Sequence, residues 1–110
     1  MIYKGSKIPS EAILKKYGLT EEAWKSIWDR QSNACPICRK VPTTGRTYVD
    51  HEHVKGWKKM DDITRSSYVR GILCYVCNRF YLAKGMTRQK AENIKRYLIS
   101  YMYGAFKDEY

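Results

Sequence analysis

The segment Asp50-His51-Glu52-His53 contains both histidines of the chain beside two carboxylates. Carboxylate oxygens are preferred ligands of Mg²⁺, and amide oxygens such as that of Asn78 are also suitable. A histidine with an ordinary pKa near ~6.5 can accept a proton from water at neutral pH. Asp50 and Asn78 could therefore bind Mg²⁺ or Mn²⁺, while His51 activates a water molecule and His53 supports it.

Two C-x-x-C pairs lie on either side of this segment, and they consist of Cys35, Cys38, Cys74 and Cys77. Each pair has the spacing of a structural zinc site, and four thiolates complete tetrahedral coordination. The pairs therefore predict a structural Zn²⁺ that closes a long loop and stabilises a small domain. Four cysteine ligands leave both histidines free for other chemistry.

The backbone at Asp50 and His51 must depart from a regular strand if both side chains act together. Adjacent side chains of a regular strand point to opposite faces, so Asp50 would be separated from His51. We therefore expect a bend or a β-bulge at this point, or acting groups that wrap around one edge of the strand. His53 would share a face with His51 in a regular strand and could orient a phosphate group or polarise a neighbouring group.

Two helices are predicted before the first cysteine pair. Ser10 is a suitable N-cap for a helix over residues 11–17, which Gly18 ends. Thr20 is the N-cap of a second helix that fades by residues 31–33. This second helix carries an apolar stripe, expected in the core, that consists of Ala23, Trp24, Ile27 and Trp28.

The region between the cysteine pairs alternates between turns and short strands. Residues 41–47 indicate a turn, and residues 48–51 a short strand. Residues 54–67 are polar and predict an irregular surface loop, followed by a second strand over 68–73.

Two further helices are predicted after the second strand. One begins near Cys74 and ends near Lys84, before Gly85. Thr87 caps a last helix to about residue 103, whose apolar stripe we expect to pack on the core. That stripe consists of Ala91, Ile94, Tyr97, Leu98, Tyr101 and Met102, and residues 104–110 are expected to fray.

Length and charge favour one small intracellular domain with a polyanionic partner. The chain has 110 residues, 21 Lys and Arg against 11 Asp and Glu, and a net charge of +10. A zinc ion with four thiolates would lower this charge to about +8. Basic side chains on phosphates release condensed counterions, so the excess favours DNA. No apolar run reaches the ~20 residues that cross a bilayer, and residues 1–7 lack the apolar core of a signal peptide.

The cysteine pairs, residues 50–53, and the segment Arg70-Gly71-Ile72-Leu73-Cys74-x-x-Cys77-Asn78 together resemble the recombination endonuclease VII family of HNH (ββα-metal) nucleases. Residues 16–22 resemble the helix that leads into the first cysteine pair of that family. The resemblance covers about residues 14–80. It implies that Asp50 and Asn78 bind the catalytic metal, that His51 is the general base and that His53 is a supporting residue. Arg70 matches a family position whose role is less defined.

The resemblance implies a small α+β fold, a single HNH endonuclease domain over residues 1–110. Its zinc-stapled ββα-metal core, of the HNH or His-Me finger type, would span about 20–84, with flanking helices and the C-terminal helix at about 87–103. Candidate contacts to the DNA backbone are Lys55, Lys58, Lys59, Arg65 and Arg70, together with the basic face of the last helix.

The implied function is phage-type, metal-dependent hydrolysis of DNA, by nicking or double-strand cutting. Branched DNA is a possible substrate, although junction-resolving members have a longer C-terminal portion that builds a dimer. A monomer and a homodimer both remain open. The expected location is the cytoplasm, which is the host cytoplasm for a phage protein. Two alternatives also explain the cysteines: a non-catalytic, zinc-dependent nucleic-acid-binding accessory protein, and a zinc domain that binds protein through the face of Tyr97 and Tyr101.

Overall fold

The computed structural model describes residues 2–82 and 85–102, and within them the main chain forms four short strands and four helices. Their order is β1 (Ile2–Tyr3), β2 (Ser6–Lys7), α1 (Glu11–Lys16), α2 (Glu21–Arg30), β3 (Tyr48–His51), α3 (Asp62–Ser67), β4 (Val69–Leu73) and α4 (Arg88–Met102). A 3₁₀ turn covers Trp57–Lys59, and a wide helical turn covers Cys77–Tyr81. None of these helices combines the length and apolarity that crossing a bilayer requires.

β1 and β2 form an antiparallel hairpin that was not predicted from the sequence. Lys4 and Gly5 both have positive φ, at 46° and 86°. Positive φ at both central residues is typical of a type I′ turn, whose twist matches that of the flanking strands. The Lys-Gly pair was the available signal, and it is weaker than Asn-Gly or Asp-Gly.

The caps of α1 and α2 confirm the predicted helix starts. The Ser10 hydroxyl accepts a hydrogen bond from the Ile13 N–H, and the Thr20 hydroxyl accepts one from the Ala23 N–H at 3.0 Å. Gly18 follows α1 with φ 71°, as its predicted role required.

The core lies between these helices and the β3–β4 pair. Trp24 and Trp28 are fully buried and stack with ring centroids 6.0 Å apart, which confirms their predicted place. The buried cluster consists of Leu14, Leu19, Trp24, Trp28, Val49 and Ile72, so packing begins before residue 20.

β3 and β4 pair antiparallel, with Asp50 opposite Gly71 and His51 opposite Val69. The register therefore shifts between Asp50 and His51 and leaves Arg70 without an opposite residue. This irregularity confirms the expected bulge.

Residues 54–67 differ from the predicted irregular loop, which was wrong for this segment. They contain the 3₁₀ turn and α3. Asp61 caps α3 by accepting a hydrogen bond from the Thr64 N–H at 2.8 Å. Trp57 is buried. The polar composition concealed both features, since one tryptophan among lysines creates no periodic signal.

The C-terminal region is helical where expected, but its apolar stripe does not pack as expected. The Thr87 hydroxyl accepts a hydrogen bond from the Lys90 N–H at the start of α4. Ile94, Tyr97 and Leu98 are about half exposed, and none belongs to the described core. α1, α2 and the β3–β4 pair already supply the described core, so the predicted packing of this stripe was wrong. The predicted helix end at Lys84, the side chains of Tyr101 and Met102, and the tail lie outside the described residues.

Candidate active site and metal centre

The four cysteines converge from two separate turns to form one cluster. Their sulfur atoms all lie within 4.8 Å of one another, and the sulfurs of Cys38 and Cys74 are 3.8 Å apart. Tetrahedral zinc with Zn–S bonds of about 2.3 Å requires sulfur atoms about 3.8 Å apart. The donor set therefore fits a zinc ion, and Cys35 and Cys77 are buried within it.

Each cysteine pair is held by its own backbone turn. In the first, the Arg39 N–H donates to the Cys35 carbonyl at 2.8 Å, and Arg39 adopts a left-handed φ of 65°. In the second, the Asn78 N–H donates to the Cys74 carbonyl at 3.0 Å. The sulfur atoms are thus positioned by short local hydrogen bonds and by the packing of Leu73 and Leu82 around them.

The pKa values of two thiols in the cluster are also consistent with a bound metal cation. Burial raises the pKa of the Cys35 thiol, but backbone N–H donors from Cys74, Cys38 and Ile37 outweigh it and bring that pKa down to about 7. Burial, reinforced by the adjacent cysteines, raises the pKa of the Cys77 thiol. The Cys35 thiolate therefore forms readily, whereas ionisation of the Cys77 thiol is favoured by a positive charge among the sulfurs.

Asp50 is buried at the register shift and is held by Arg70. The Arg70 Nε donates to Asp50 Oδ2 at 2.7 Å, and a second guanidinium nitrogen donates to Oδ1 at 3.0 Å. The Asp50 side chain is 6% exposed and that of Arg70 is 35% exposed. The carboxylate is therefore fixed in one orientation by a planar, bidentate partner.

The His51 ring lies in an aromatic cradle. It stacks on Trp57 with ring centroids 4.2 Å apart and meets the edge of Tyr17 at 5.4 Å. His53 is its third neighbour, at 4.7 Å. Tyr17 and Trp57 also contact each other at 5.7 Å. The cradle fixes the plane of the imidazole through ring contacts.

The electrostatics around His51 favour its neutral form. Burial lowers its pKa from the usual 6.5, and His53, Arg70 and Lys16 act in the same direction, whereas Asp50 opposes them. A neutral imidazole at pH 7 can accept a proton.

A cavity of about 420 Å³ opens in front of the two histidines. Three exposed lysines, Lys16, Lys58 and Lys59, line it, and the described lining residues include no carboxylate. Lys55 is also exposed in the same connecting segment. The surroundings of His51 therefore suit an anionic group such as a phosphate.

Arg65 has an internal position that differs from the other basic candidates. Its guanidinium donates to the carbonyls of Lys15 and Lys58 and pairs with Asp62. Its own carbonyl accepts a hydrogen bond from Trp57 Nε1 at 3.3 Å. These contacts connect α1, α3 and the 3₁₀ turn, which favours a packing role for Arg65 over a contact with DNA.

Asn78 lies immediately after Cys77 and is half-buried. In residues 2–82 and 85–102, its side chain makes no hydrogen bond, so its amide oxygen is available to a ligand. Asp50 pairs with Arg70, and the ring of His51 contacts that of His53, but the described contacts join Asn78 to neither pair.

Sequence reasoning missed three residues that position the site. Tyr17 and Trp57 hold His51 across 34 and 6 residues of chain, and no local periodicity signals such contacts. Gln31 accepts a hydrogen bond from the Ile72 N–H at 2.8 Å and donates to the Ile72 carbonyl at 2.8 Å, like a neighbouring strand. The available signal was a glutamine at the end of α2, whose amide can both donate and accept a hydrogen bond to a strand backbone.

Comparison with known proteins gives one family. The family model for recombination endonuclease VII matches residues 10–104. Gene 59 proteins of Mycobacterium phages D29 and L5 are each 34% identical over 85 residues, which cover 76% of this chain. The chain spans 44% of the length of these relatives. No solved structure matches it significantly.

Proposed function

The chain belongs to the recombination endonuclease VII family, and on that basis we propose that it is a DNA endonuclease with His51 as the general base and one Mg²⁺ or Mn²⁺ as the catalytic ion. Family membership indicates a nuclease, and the side-chain arrangement around residue 51 supports this mechanism. The proposed scaffold is a ββα-metal core made by β3, β4 and the helical turn after Cys74.

One observation carries the proposal: the adjacent residues Asp50 and His51 have separate, fixed environments at a strand irregularity. Asp50 is buried and oriented by Arg70, whereas His51 borders a cavity lined by lysines. A base at an electropositive cavity, next in the chain to a buried and oriented carboxylate, is a combination that phosphodiester hydrolysis can use. A purely structural histidine has no need of the lysine-lined cavity.

In the proposed reaction, His51 accepts a proton from a water molecule. The water oxygen attacks phosphorus, the bond between phosphorus and the leaving 3′ oxygen breaks, and that oxygen takes a proton from solvent. Lys16, Lys58 and Lys59 attract the phosphate, and His53 helps orient it. Asp50 and Asn78 would hold the divalent cation, which when bound supplies positive charge at the phosphate and the leaving oxygen.

Both oxygens of Asp50 accept hydrogen bonds from Arg70, yet a carboxylate has about four lone-pair positions. The cation can therefore share Asp50 with Arg70. The oxygen of Asn78 is a second ligand of the kind that Mg²⁺ accepts while it keeps several waters.

Zinc in the cysteine cluster would have a structural role. It would join the turn after α2 to the turn after β4, at the base of the strand pair that carries Asp50. Contacts to the phosphates of the DNA backbone are assigned to Lys55, Lys58 and Lys59, which position the duplex without reading sequence. Since both named relatives are phage proteins, the proposed setting is the cytoplasm of an infected host.

The test is incubation of supercoiled plasmid with the zinc-loaded protein, with Mg²⁺, with Mn²⁺ and with neither. We expect nicked or linear products only with a divalent cation, and none from His51→Ala. The matched control is His53→Ala, which should retain measurable cleavage. Equal DNA affinity of the wild type and His51→Ala, measured by fluorescence anisotropy, would show that the variant has lost the general base and has kept its ability to bind DNA. DNA binding without cleavage under any divalent cation would overturn the proposal in favour of a zinc-dependent accessory protein.

A further inference from the structure

A second cavity lies on the opposite end of β3 from His51, beside the cysteine cluster. Its volume is about 870 Å³, within the ~300–1,000 Å³ of typical ligand sites. Its residues come from the turn after the first cysteine pair, from Tyr48 at the start of β3, and from the turn between Cys74 and Cys77. It shares no lining residue with the cavity in front of His51.

The lining of this cavity combines aromatic rings with positive charge. Tyr48, Tyr75 and Tyr81 contribute the rings, and Tyr75 and Tyr81 are 50% and 59% exposed. Tyr75 is held from two sides, by Tyr48 at 5.8 Å and by Phe80 at 6.3 Å between ring centroids. A ring that is fixed by its neighbours and still half exposed is a ready stacking surface, since little side-chain entropy remains to be lost.

The charges select the kind of ligand. Lys7, Lys40 and Arg46 line the cavity, and none of its described lining residues is acidic. A zinc ion with four thiolates has a net charge of about −2, so three cations exceed what that cluster alone would balance. An anionic ligand with flat, apolar faces complements this lining. Unpaired nucleotides have that chemistry, because their bases stack on aromatic rings while their phosphates meet cations.

We infer that the cavity bounded by Tyr48, Tyr75 and Tyr81 binds unpaired nucleotides of DNA, separately from the site of cleavage. The inference rests on the proposed function, which identifies the nucleic acid as DNA. It adds that the substrate is duplex DNA with a single-stranded stretch. Two residues of β3 lie between Tyr48 and His51, so three steps along the strand, about 10 Å, separate them. That distance corresponds to about three nucleotides at the ~3.4 Å spacing of one strand of a duplex.

The test measures binding with the full chain carrying His51→Ala, zinc-loaded and without added Mg²⁺ or Mn²⁺, so that cleavage plays no part. A fluorescein-labelled dT15 strand and a 15-base-pair duplex are the probes. We expect Tyr75→Leu to weaken binding of dT15 about tenfold and to leave duplex binding within twofold. Arg46→Glu should also weaken dT15 binding, and more than Arg30→Glu, an equal charge change on the exposed surface of α2.

Photo-crosslinking locates the strand directly. A dT15 strand with one 5-iododeoxyuridine should crosslink to peptides that contain Tyr48, Tyr75 or Tyr81. Zinc content and thermal melting of each variant identify any that fail to fold, and Arg46→Glu changes an exposed side chain that should not affect folding.

Equal losses for dT15 and duplex in Tyr75→Leu would overturn the inference, as would crosslinks confined to other peptides. A concentration-dependent dimer that disappears in Tyr75→Leu, with dT15 affinity unchanged, would instead identify a protein interface. Plasmid cleavage by the wild-type protein, together with equal losses of dT15 and duplex binding in Tyr75→Leu, refutes only this inference. Binding of dT15 at this cavity, with no plasmid cleavage by the wild-type protein under any divalent cation, refutes only the proposed function.

Discussion

Asp50 and Arg70 form a bidentate ion pair across the irregular point of the β3–β4 ladder, with N–O distances of 2.7 and 3.0 Å. The register shift leaves Arg70 without an opposite residue, and its guanidinium turns to the carboxylate of the neighbouring strand. The feature that disrupts the ladder therefore also orients the proposed metal ligand. Asp50 needs this partner because a buried, unpaired carboxylate is costly.

Arg70→Met should destabilise the protein because it leaves the Asp50 carboxylate buried without its partner. We expect a loss of about 1–3 kcal/mol in the free energy of unfolding, measured with urea in the absence of divalent cations. This is below the ~3–5 kcal/mol typical of fully buried pairs, since solvent reaches about a third of the Arg70 side chain and screens the interaction.

Mn²⁺ should recover part of that stability, because the cation replaces the lost positive charge at Asp50. The control is the double variant Arg70→Met with Asp50→Asn, which has no carboxylate and should gain nothing from Mn²⁺. Equal recovery in the single and double variants would contradict Asp50 as a metal ligand.

Trp57 is expected to influence the rate of cleavage, because it holds the His51 ring by stacking on it with ring centroids 4.2 Å apart. Trp57→Leu should lower the single-turnover rate by about tenfold, because small misplacement of a catalytic group has large kinetic effects. Trp57→Phe keeps an aromatic face and should stay within about threefold of wild type. Both variants lose the hydrogen bond from Trp57 Nε1 to Arg65, so that loss cancels in the comparison. Similar rates for the two would show that stacking is irrelevant.

Gly71 and Gln31 should behave as one energetic unit. A Cβ on residue 71 would lie 2.9 Å from the Gln31 Oε1, which accepts the Ile72 N–H. The Gln31 amide can move away, but it then loses its hydrogen bonds to Ile72 and Ala34. Gly71→Ala should therefore cost about 1–2 kcal/mol, measured by urea unfolding.

Gln31→Ala removes the same hydrogen bonds directly and should cost a similar amount. Because Gly71→Ala acts through Gln31, the double variant should cost little more than either single one, which is clear non-additivity. Additive losses would show that the alanine methyl group disrupts something other than Gln31.

The sequence predicted the parts of this fold that local chemistry determines. Ser10 and Thr20 begin helices because their hydroxyls satisfy free backbone N–H groups, and that requirement is local. The cysteine cluster was predictable because two C-x-x-C pairs restrict the possible partners. The bulge followed from the alternation of side chains on a strand. The roles of His51, Asp50, Asn78 and His53 remain predictions.

The sequence could not reveal contacts that depend on the assembled fold. Trp57 lies among lysines in a polar stretch, yet it is buried against Tyr17 and His51. Arg65 lies in a basic, polar stretch typical of a surface contact, but its guanidinium joins α3 to the end of α1 and to the 3₁₀ turn. The apolar stripe of α4 was wrongly predicted to pack on the core. Periodicity identifies an apolar face of a helix, but it does not identify the surface that covers this face.

Cys77 and Asn78 are adjacent on one helical turn, and their replacement should have opposite effects. Cys77→Ser removes a buried ligand of the cysteine cluster, so we expect loss of bound zinc and of the cooperative thermal transition. Asn78→Ala should keep its zinc, and its free energy of unfolding should lie within about 0.5 kcal/mol of that of the wild type. The reason is that the described Asn78 side chain makes no hydrogen bond that folding requires. Its plasmid cleavage should nevertheless fall at least about a hundredfold, since an oxygen ligand of the catalytic cation is lost.

Asn78→Asp retains the side-chain shape and an oxygen ligand at the same position, so it should keep more activity than Asn78→Ala at high Mn²⁺. Thermal melts, zinc content and cleavage rates on the same preparations provide all three readouts. An Asn78→Ala protein that unfolds or loses zinc would assign Asn78 to the structural turn. One that folds and cleaves normally would remove it from the metal site and leave Asp50 as the remaining proposed protein ligand.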